Sequence, residues 1–311
     1  MGIFLGLDAG ATKTDCVLID SGGRILGETR GGGANPLRSG FAKACAVLGE
    51  TARHALAEAK QPAEAVRALC AGVAGAGRPR VARRIKSYFS HAFPQSVILV
   101  TTDIEIALEA GLGDGPGIVV IAGTGSAACG RNFASQTARA GGWGPWIGDE
   151  GSAYEIGRRA VYAALRARDS AGPETNLGER ILLAEGVRDW DGLIERLAKR
   201  PDKVFPELFP TVCEAASEGD SVAQEILAAS AKSLAALARG VIEQLGLRGQ
   251  SFPLARSGGV FGRTPYFDSA FDEELSRIAP DAHPVSLRVS PARAAAEMAQ
   301  KSIANAAAHG A

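Results

Sequence analysis

A supersecondary pattern that occurs twice is the feature that most constrains the fold of this chain. The first 112 residues alternate between apolar segments of strand length and segments of helical periodicity in the order βββαβαβα. The same order begins again at GIVVIAGTGS, and a helical insertion that ends near position 219 interrupts the second copy. A duplicated unit of this kind predicts two similar α/β domains.

The Gly/Pro/Asp-rich segment EAGLGDGPG separates the two copies and predicts the domain boundary. We expect an N-terminal domain over residues 1–115 and a C-terminal domain over residues 116–290, followed by a final helix at 291–307. Two similar α/β units that face each other predict an interdomain cleft. Ligand sites in such sheets lie at strand ends, so the candidate residues are expected where strands run into turns.

The composition excludes several classes of function. Lys+Arg and Asp+Glu are both 34, so no basic excess indicates nucleic-acid binding. The apolar runs are far too short to span a membrane, and the N-terminus does not resemble a signal peptide, which predicts a cytoplasmic protein without a membrane partner. The five Cys are widely spaced without a CxxC pair, which argues against a disulfide framework or a zinc cluster.

A glycine-containing turn follows the first strand in LDAGATKT. The strand ends at Asp8, and Gly10 precedes Thr12 and Lys13. Small residues let backbone N–H groups approach a phosphate, which a hydroxyl and an ammonium can also contact. Asp8 could hold a hydrated Mg²⁺. The alternative is a plain hairpin turn, since the spacing is not that of a Walker A loop.

A second turn, in IAGTGSAACG, occupies the equivalent place in the second copy. Here Thr124 and Gly125 follow the strand. Two matched turns that face each other across a cleft would hold a triphosphate from both sides. The match favours phosphate binding by both turns over two unrelated hairpins.

Three further junctions are candidates, each with a structural alternative. Asp103 lies between a strand and a helix in VTTDIEIAL, where it could accept a proton from an attacking hydroxyl or cap the helix. Thr101 and Thr102 could also cap this helix. Gly258 and Gly259 in ARSGGVFG would let the chain pass flat against a planar group such as adenine, or simply connect a strand to a helix. Asn35 in GGGANPL would suit a sugar hydroxyl, or only form a turn.

The stretch GGWGPWIGDEGS contains two of the three Trp of the chain. It is too rich in glycine for a regular element and too apolar for an ordinary solvated loop. Trp143 and Trp146 could be core anchors. They could also be a platform beside a ligand, with Asp149 and Glu150 as hydrogen-bond acceptors.

Together these motifs, in this order over residues 5–262, resemble the actin-like ATPase superfamily, whose domains have the ribonuclease H-like fold. More narrowly, they resemble the N-acetylglucosamine kinase branch, which is grouped with the BadF/BadG/BcrA/BcrD ATPases. GGWG-x₃-GDEGSAY is the most specific of them. Trp143 lies within the matched GGWG, whereas Trp146 does not and is interpreted as a packing residue. The resemblance implies an ATP-dependent kinase that acts, with Mg²⁺, on the 6-hydroxyl of N-acetylglucosamine or glucosamine.

The resemblance also implies roles for individual residues. Asp103 would be the general base, and Asp8 would assist Mg²⁺ through water. The final helix would pack back onto the N-terminal domain, and the protein would be a homodimer. The phosphates of ATP would be bound by Gly10, Thr12, Lys13, Thr124 and Gly125, the sugar by Asn35, Asp103, Gly142, Trp143, Gly144 and Asp149, and adenine by Gly258, Gly259 and a helix start near Ala216.

Two alternatives remain at this point. One is a protein that senses a sugar without phosphorylating it. The other is an activator of a dehydratase or reductase of the BadF type, which would hold an iron–sulfur cluster through paired Cys that are not recognisable here. The identity of the sugar is open, and Arg78 and Arg80 are candidate discriminators whose alternative is a solvated helix start.

Overall fold

The structure is a computed structural model that describes residues 2–309, with side chains as far as Ala304. The chain forms two compact units. The first unit contains the residues up to Asp114 together with those from Leu287 onward, and the second is Gly115–Ser286.

The first unit is built on a five-stranded mixed sheet with the order β3-β2-β1-β4-β5. The first three strands form an antiparallel meander, and β4 and β5 continue the sheet parallel to β1. The strands are β1 (Ile3–Ala9), β2 (Lys13–Asp20), β3 (Ile25–Gly32), β4 (Val66–Val73) and β5 (Val97–Thr101), and the helices are α1 (Pro36–Ser39), α2 (Phe41–Glu58), α3 (Pro79–Ala92) and α4 (Asp103–Leu112).

The second unit repeats this strand order as β8-β7-β6-β9-β10, so the predicted duplication of the βββαβαβα unit is confirmed. Six helices separate β8 from β9, as the predicted insertion requires. The strands are β6 (Gly117–Ala122), β7 (Ser126–Arg131), β8 (Thr137–Gly141), β9 (Phe252–Ser257) and β10 (Ala282–Val285). The helices are α5 (Ala153–Arg168), α6 (Leu177–Glu185), α7 (Trp190–Lys199), α8 (Pro201–Glu207), α9 (Phe209–Ser217), α10 (Ser221–Gln244) and α11 (Pro265–Ile278).

The last helix, α12 (Pro291–His309), belongs to the first unit and covers one face of its sheet. A Cβ added at Gly6 would lie 2.1 Å from the carbonyl oxygen of Ala292, so the helix backbone lies directly on β1. Small residues at 292, 295, 296 and 299 make this close approach possible, and all four are buried. The opposite face of β1 packs against α2, which explains why almost every residue of this strand is buried.

No helix within residues 2–309 is both long enough and apolar enough to cross a lipid bilayer. The buried apolar residues form the hydrophobic cores of the two units.

Candidate active site

In the first unit, the strand register brings the predicted acids to one edge of the sheet. Asp8 pairs with Gly72 of β4, and Gly72 pairs with Thr101 of β5. Because β1, β4 and β5 are parallel, their carboxyl ends meet at this edge. Asp103 follows Thr101 by two residues, and it begins α4.

The start of α4 is capped by Thr102, and Asp103 is the first residue inside the helix. The Thr102 hydroxyl accepts a hydrogen bond from the Glu105 backbone N–H (3.1 Å), and the Glu105 carboxylate accepts one from the Thr102 N–H (3.0 Å). This reciprocal pair is a capping box. The interpretation of Asp103 as the N-cap is therefore wrong, and its carboxylate is not needed to begin the helix.

The electrostatic environment of Asp8 is unusual for a carboxylate. Burial, the charge of Asp103 and that of Asp15 raise the pKa of Asp8, to about 7, although Lys13 opposes this shift. Desolvation and a neighbouring like charge both disfavour the ionised form. A bound cation would relieve both costs, so the Asp8–Asp103 pair is a suitable environment for a divalent metal.

The turn between β1 and β2 is held from two sides. The Gly10 N–H donates to the Lys13 carbonyl (2.9 Å), and the Ala34 N–H donates to the Gly10 carbonyl (3.0 Å). Thr12 is exposed at this turn. The Lys13 ammonium lies 2.7 Å from the Asp15 carboxylate, so this predicted phosphate contact is engaged in an ion pair on the protein.

Asn35 directly follows Ala34 in the chain and is the N-cap of the short helix α1. Its Oδ1 accepts a hydrogen bond from the Leu37 N–H (2.9 Å). A Cβ added at Gly75, in the loop after β4, would lie 3.4 Å from this Oδ1. Asn35 therefore contacts the β4 loop, next to the edge that carries Asp8.

In the second unit, the turn after β6 contacts the GDEGS segment. A Cβ added at Gly125 would lie 2.9 Å from Oδ2 of Asp149, so the carboxylate of Asp149 lies directly on the turn that contains Thr124. Asp149 is buried and has a left-handed backbone, with φ +66°. A non-glycine residue in this conformation is uncommon and costs about 1–3 kcal/mol, which the surrounding contacts must offset.

Hydrogen bonds join the loops around this turn into one assembly. The Ser126 hydroxyl donates to the Glu150 carbonyl (2.7 Å), and the Gly142 N–H donates to the Ser126 carbonyl (2.9 Å). The Ala153 N–H donates to the Gly123 carbonyl (2.9 Å). Gly142 and Asp149 are therefore positioned by the same turn as Thr124.

The double glycine after β9 approaches the end of β6. A Cβ added at Gly258, which has φ +102°, would lie 2.2 Å from the Ala122 carbonyl oxygen. The Val260 N–H donates to the same oxygen at 3.0 Å. Gly259 is exposed, and nothing described lies within 4 Å of a Cβ added there. The predicted adenine-binding turn is thus adjacent to the turn of Thr124.

Two interpretations from the sequence need correction. Trp146 is not a packing residue, because 81% of its surface is exposed. Ala216 does not lie at a helix start: it is near the end of α9 and is fully buried, and its carbonyl accepts a hydrogen bond from Gln224 (2.9 Å). Its methyl group therefore offers no surface to adenine.

Trp143 is 62% exposed, and the Arg139 guanidinium lies 5.1 Å from the centroid of the Trp143 ring.

One supporting residue was missed in the sequence. Glu155, which is buried, accepts a hydrogen bond from the Gly151 N–H (2.6 Å) and another from Arg159 Nε (2.7 Å). It thereby holds the start of α5, where Ser152 is the N-cap. The Ser-x-x-Glu spacing, which is the capping-box signature, was the signal that could have identified it.

No group of three or more His, Cys, Asp or Glu side chains among residues 2–304 has a geometry that could hold a metal ion. Four of the five Cys are buried, including Cys129 on β7. Burial raises the pKa of the Cys16 thiol and that of Cys70, which keeps these thiols protonated.

The two units have the same strand order, and each has a glycine-containing turn after its first strand. This combination defines a protein of the two-domain actin-like ATPase class. The chain belongs to the BadF/BadG/BcrA/BcrD ATPase family, whose model matches residues 5–299. The resemblance predicted from the motifs is confirmed, and ATP is the nucleotide that this family uses.

Similar proteins carry the names of amino-sugar kinases. N-acetylmuramic acid/N-acetylglucosamine kinase of Clostridium acetobutylicum is 32% identical over 93% of this chain and 95% of that protein. N-acetyl-D-glucosamine kinase of Dictyostelium discoideum is 30% identical over 96% of this chain and 98% of that protein. A crystal structure from Chromobacterium violaceum, provisionally assigned as an N-acetylglucosamine kinase, has a TM-score of 0.81 at 25% identity, over 96% of this chain and 99% of that one.

Proposed function

We propose that this chain is an ATP-dependent amino-sugar kinase. It transfers the γ-phosphoryl group of ATP to the 6-hydroxyl of N-acetylglucosamine or glucosamine. Two similar proteins with nearly full-length matches are named as kinases of such sugars. Because the reaction consumes ATP, the cytoplasm is the compartment that we propose for it.

The observation that carries the proposal is the pair of acids at one sheet edge of the first unit. Asp103 begins a helix whose N-cap is Thr102, so the Asp103 carboxylate does not cap this helix. Its charge acts on Asp8, which ends β1 beside the first glycine turn. A base and a second acid next to a phosphate-binding turn are the groups that phosphoryl transfer requires.

Asp103 accepts the proton of the sugar 6-hydroxyl as the hydroxyl oxygen attacks the γ-phosphorus. The bond from that phosphorus to the β–γ bridging oxygen breaks, and ADP leaves. A correctly placed general base contributes on the order of 10²–10⁴-fold to the rate.

The glycine turns hold the phosphates of ATP in this proposal. Gly10 and Gly125 allow close approach of the backbone, and the hydroxyls of Thr12 and Thr124 donate to phosphate oxygens. Lys13 would exchange its ion pair with Asp15 for a phosphate oxygen. The double glycine 258–259, which packs on the end of β6, would border adenine, without the contribution from Ala216 that the sequence predicted.

The residues that we propose for sugar binding are Asn35 in the first unit and Gly142, Trp143, Gly144 and Asp149 in the second. Asn35 Oδ1 caps α1, which leaves its amide nitrogen as the donor for a sugar hydroxyl. Gly142 and Gly144 expose backbone beside Trp143, whose ring is mostly accessible. Asp149, fixed on the Gly125 turn, would accept a hydrogen bond from a hydroxyl.

Mg²⁺ fits the edge that carries Asp8 and Asp103. Oxygen donors are what this ion prefers, and Asp8 would hold it through a water molecule. When bound, the ion neutralises charge on the phosphate oxygens. We also propose that the enzyme is a homodimer, which light scattering would test.

A coupled assay of ADP release tests the proposed function directly. The protein is incubated with ATP and, in separate reactions, with N-acetylglucosamine, glucosamine, glucose or no sugar. We expect ADP release to require an amino sugar and phosphate to appear on its 6-hydroxyl. Sugar binding without ADP release would instead indicate a sensor, and a visible iron–sulfur absorbance after anaerobic purification would indicate an activator.

A further inference from the structure

Helix α3 carries positive charge that its own sequence does not neutralise. Its 14 residues contain four Lys or Arg and no Asp or Glu, whereas the whole chain has 34 residues of each charge. The helix packs into the core through Ile85 and Phe89, and all four of its cations are exposed. A basic surface of this kind attracts anions, and a cavity beside it would give an anion a specific place to bind.

A cavity of about 570 Å³ lies along the exposed side of α3, where the first residue of α2 contributes part of its wall. A volume of this size is within the range of small-molecule sites. None of the lining residues belongs to the candidate active site. They are Phe41, Arg84, Ser87, Tyr88, His91 and Ala92.

Four of the lining residues share one face of α3 because of their spacing. Ser87, Tyr88 and His91 follow Arg84 by three, four and seven positions. Residues at this spacing lie one above another on the surface of an α-helix. The cavity therefore presents a guanidinium, a hydroxyl, a phenol and an imidazole on one side, together with the ring of Phe41.

Arg84 is held by an aromatic ring rather than by an acid. Its guanidinium carbon lies 3.7 Å from the centroid of the Phe41 ring. Within residues 2–304, no carboxylate forms an ion pair with this guanidinium. The N–H donors of a guanidinium lie in its plane, so packing over a ring leaves the donors at its edges for an anion. Because the side chain is already ordered, binding of an anion costs less conformational entropy.

Tyr88 and His91 also have defined positions. Gly49 of α2 lets the Tyr88 hydroxyl lie directly on that helix, since an added Cβ would overlap this hydroxyl and would lie 3.3 Å from Nη1 of Arg53. The Nδ1 atom of His91 lies 2.7 Å from the Ser87 carbonyl oxygen. A carbonyl oxygen only accepts, so Nδ1 carries the proton, and Nε2 is the nitrogen left for a ligand.

These groups suit a phosphate ester better than a carboxylate. A phosphate monoester has three acceptor oxygens and a charge of about −1.5 to −2 at pH 7, which matches a guanidinium with a hydroxyl beside it. A carboxylate would use the guanidinium alone. The rings of Phe41 and Tyr88 supply apolar surface for the ring that carries the phosphate.

We propose that this cavity is a second ligand site, separate from the candidate active site, and that it binds a phosphate monoester of small-molecule size. Arg84 and Ser87 hold the phosphate oxygens, and the ring that carries the phosphate lies on Tyr88. Two sources share this chemistry, namely the sugar 6-phosphate that the proposed reaction produces and a nucleoside monophosphate. The binding does not depend on the proposed kinase function, because it requires no catalysis.

Isothermal titration calorimetry in the absence of ATP tests the site. The ligands are N-acetylglucosamine 6-phosphate, uridine monophosphate and inorganic phosphate, and the proteins are the wild type, Arg84→Gln and Arg83→Gln. Arg83 is the matched control, because it is an exposed arginine of the same helix that does not line the cavity. A sugar phosphate that occupies the active site would bind equally to both variants, so the binding that depends on Arg84 reports on the cavity.

We expect at least one of the two esters to bind the wild type, and Arg84→Gln to weaken this binding about 10- to 100-fold, as the loss of a charged hydrogen bond requires. Inorganic phosphate lacks the ring and should bind at least about tenfold more weakly than that ester. Arg83→Gln should match the wild type. Arg84→Lys should keep part of the affinity, because it retains the charge without the planar donors. The ester that binds identifies the source of the ligand.

Four results would overturn the inference. The first is no binding of either ester up to about 10 mM, and the second is an equal loss of binding in Arg83→Gln and Arg84→Gln. The third is inorganic phosphate that binds as tightly as the esters. The fourth is a change of oligomeric state in Arg84→Gln, seen by light scattering, which would make this face an interface between copies of the chain. A protein that binds an ester in this way but phosphorylates no sugar would refute only the kinase function.

Discussion

Asp8 and Asp103 lie at the same edge of the first sheet, and their charges are coupled. Asp8 aligns through Gly72 with Thr101, two residues before Asp103, and the charge of Asp103 helps to raise the pKa of Asp8. The pairing of three parallel strands is therefore what brings the two acids together.

Replacing Asp103 by Asn should remove most of the turnover while the protein stays folded. The amide cannot accept the proton of the sugar hydroxyl, so kcat should fall on the order of 10²–10⁴-fold. Glu105→Gln is the matched control, since it weakens the capping box on the same helix and should cost about 1 kcal/mol of stability but little activity. ADP release and thermal melting separate the two effects, and near-normal turnover in Asp103→Asn would refute the assigned role.

Asp8 should make the free protein less stable as the pH rises. Burial and Asp103 raise the pKa of Asp8 to about 7, whereas it is about 3.8 for the ordinary carboxyl group. Between these values the folded state binds more protons than the unfolded state, so stability falls from about pH 4 to about pH 7 and is level above it. The cost above pH 7 is at most about 4 kcal/mol. Asp8→Asn should abolish this slope in urea titrations with EDTA.

Asp15 provides a control of opposite sign for that measurement. Although burial raises the pKa of Asp15, hydrogen bonds and charges from Arg30 and Lys13 outweigh this effect and hold the pKa below its ordinary value. Its contribution to stability is present at neutral pH and is lost as the pH falls through that lowered pKa. Asp15→Asn should therefore reduce stability at neutral pH, and equal slopes in both variants would contradict the assignment of Asp8.

The two outer glycines of the G-T-G turn should respond differently to an added methyl group. At Gly125 the methyl would lie 2.9 Å from Oδ2 of Asp149 and would displace that carboxylate, whereas at Gly123 nothing described lies within 4 Å. We expect Gly125→Ala to lower kcat/KM for the sugar about 10- to 100-fold. Gly123→Ala should remain close to the wild type. Sugar titrations at saturating ATP would reveal the difference, and equal kinetics would disprove that Asp149 acts on the substrate from this position.

Gly6→Ala should destabilise the first unit strongly. The added Cβ would lie 2.1 Å from the Ala292 carbonyl oxygen and 2.2 Å from the Ala296 nitrogen, which are backbone atoms that cannot rotate away. Overpacking of this severity should cost about 3 kcal/mol or more. Gly32→Ala, where the added group meets nothing described within 4 Å, should stay within about 0.5 kcal/mol of the wild type. Urea unfolding measures both, and a stable Gly6→Ala would place α12 elsewhere.

Sugar binding should change the fluorescence of one tryptophan in the GGWGPWIG loop. Trp143 lies between Gly142 and Gly144, which we propose contact the sugar, while Trp146 is 81% exposed. We expect N-acetylglucosamine to change the emission of the wild type and of Trp146→Phe, but much less that of Trp143→Phe. A signal that disappears with Trp146 instead would move the sugar contact to the second tryptophan.

The sequence by itself was sufficient to predict the order of the elements and the duplication. Helical and strand periodicities are local properties, and glycine turns mark where each strand ends. For the same reason Asp103 was correctly located at a strand-to-helix junction. The capping box on Thr102 was also visible in the sequence, since Thr and Glu stand three residues apart.

Only the tertiary structure decided the contacts between segments that are distant along the chain. Asp149 reaches Gly125 because a left-handed residue turns the loop back onto β6, and no local pattern predicts that conformation. Trp146 is exposed and Ala216 is buried because the tertiary structure determines which side chains the neighbouring helices and loops cover. Lys13 pairs with Asp15 because the fold brings their side chains within a few ångströms of each other.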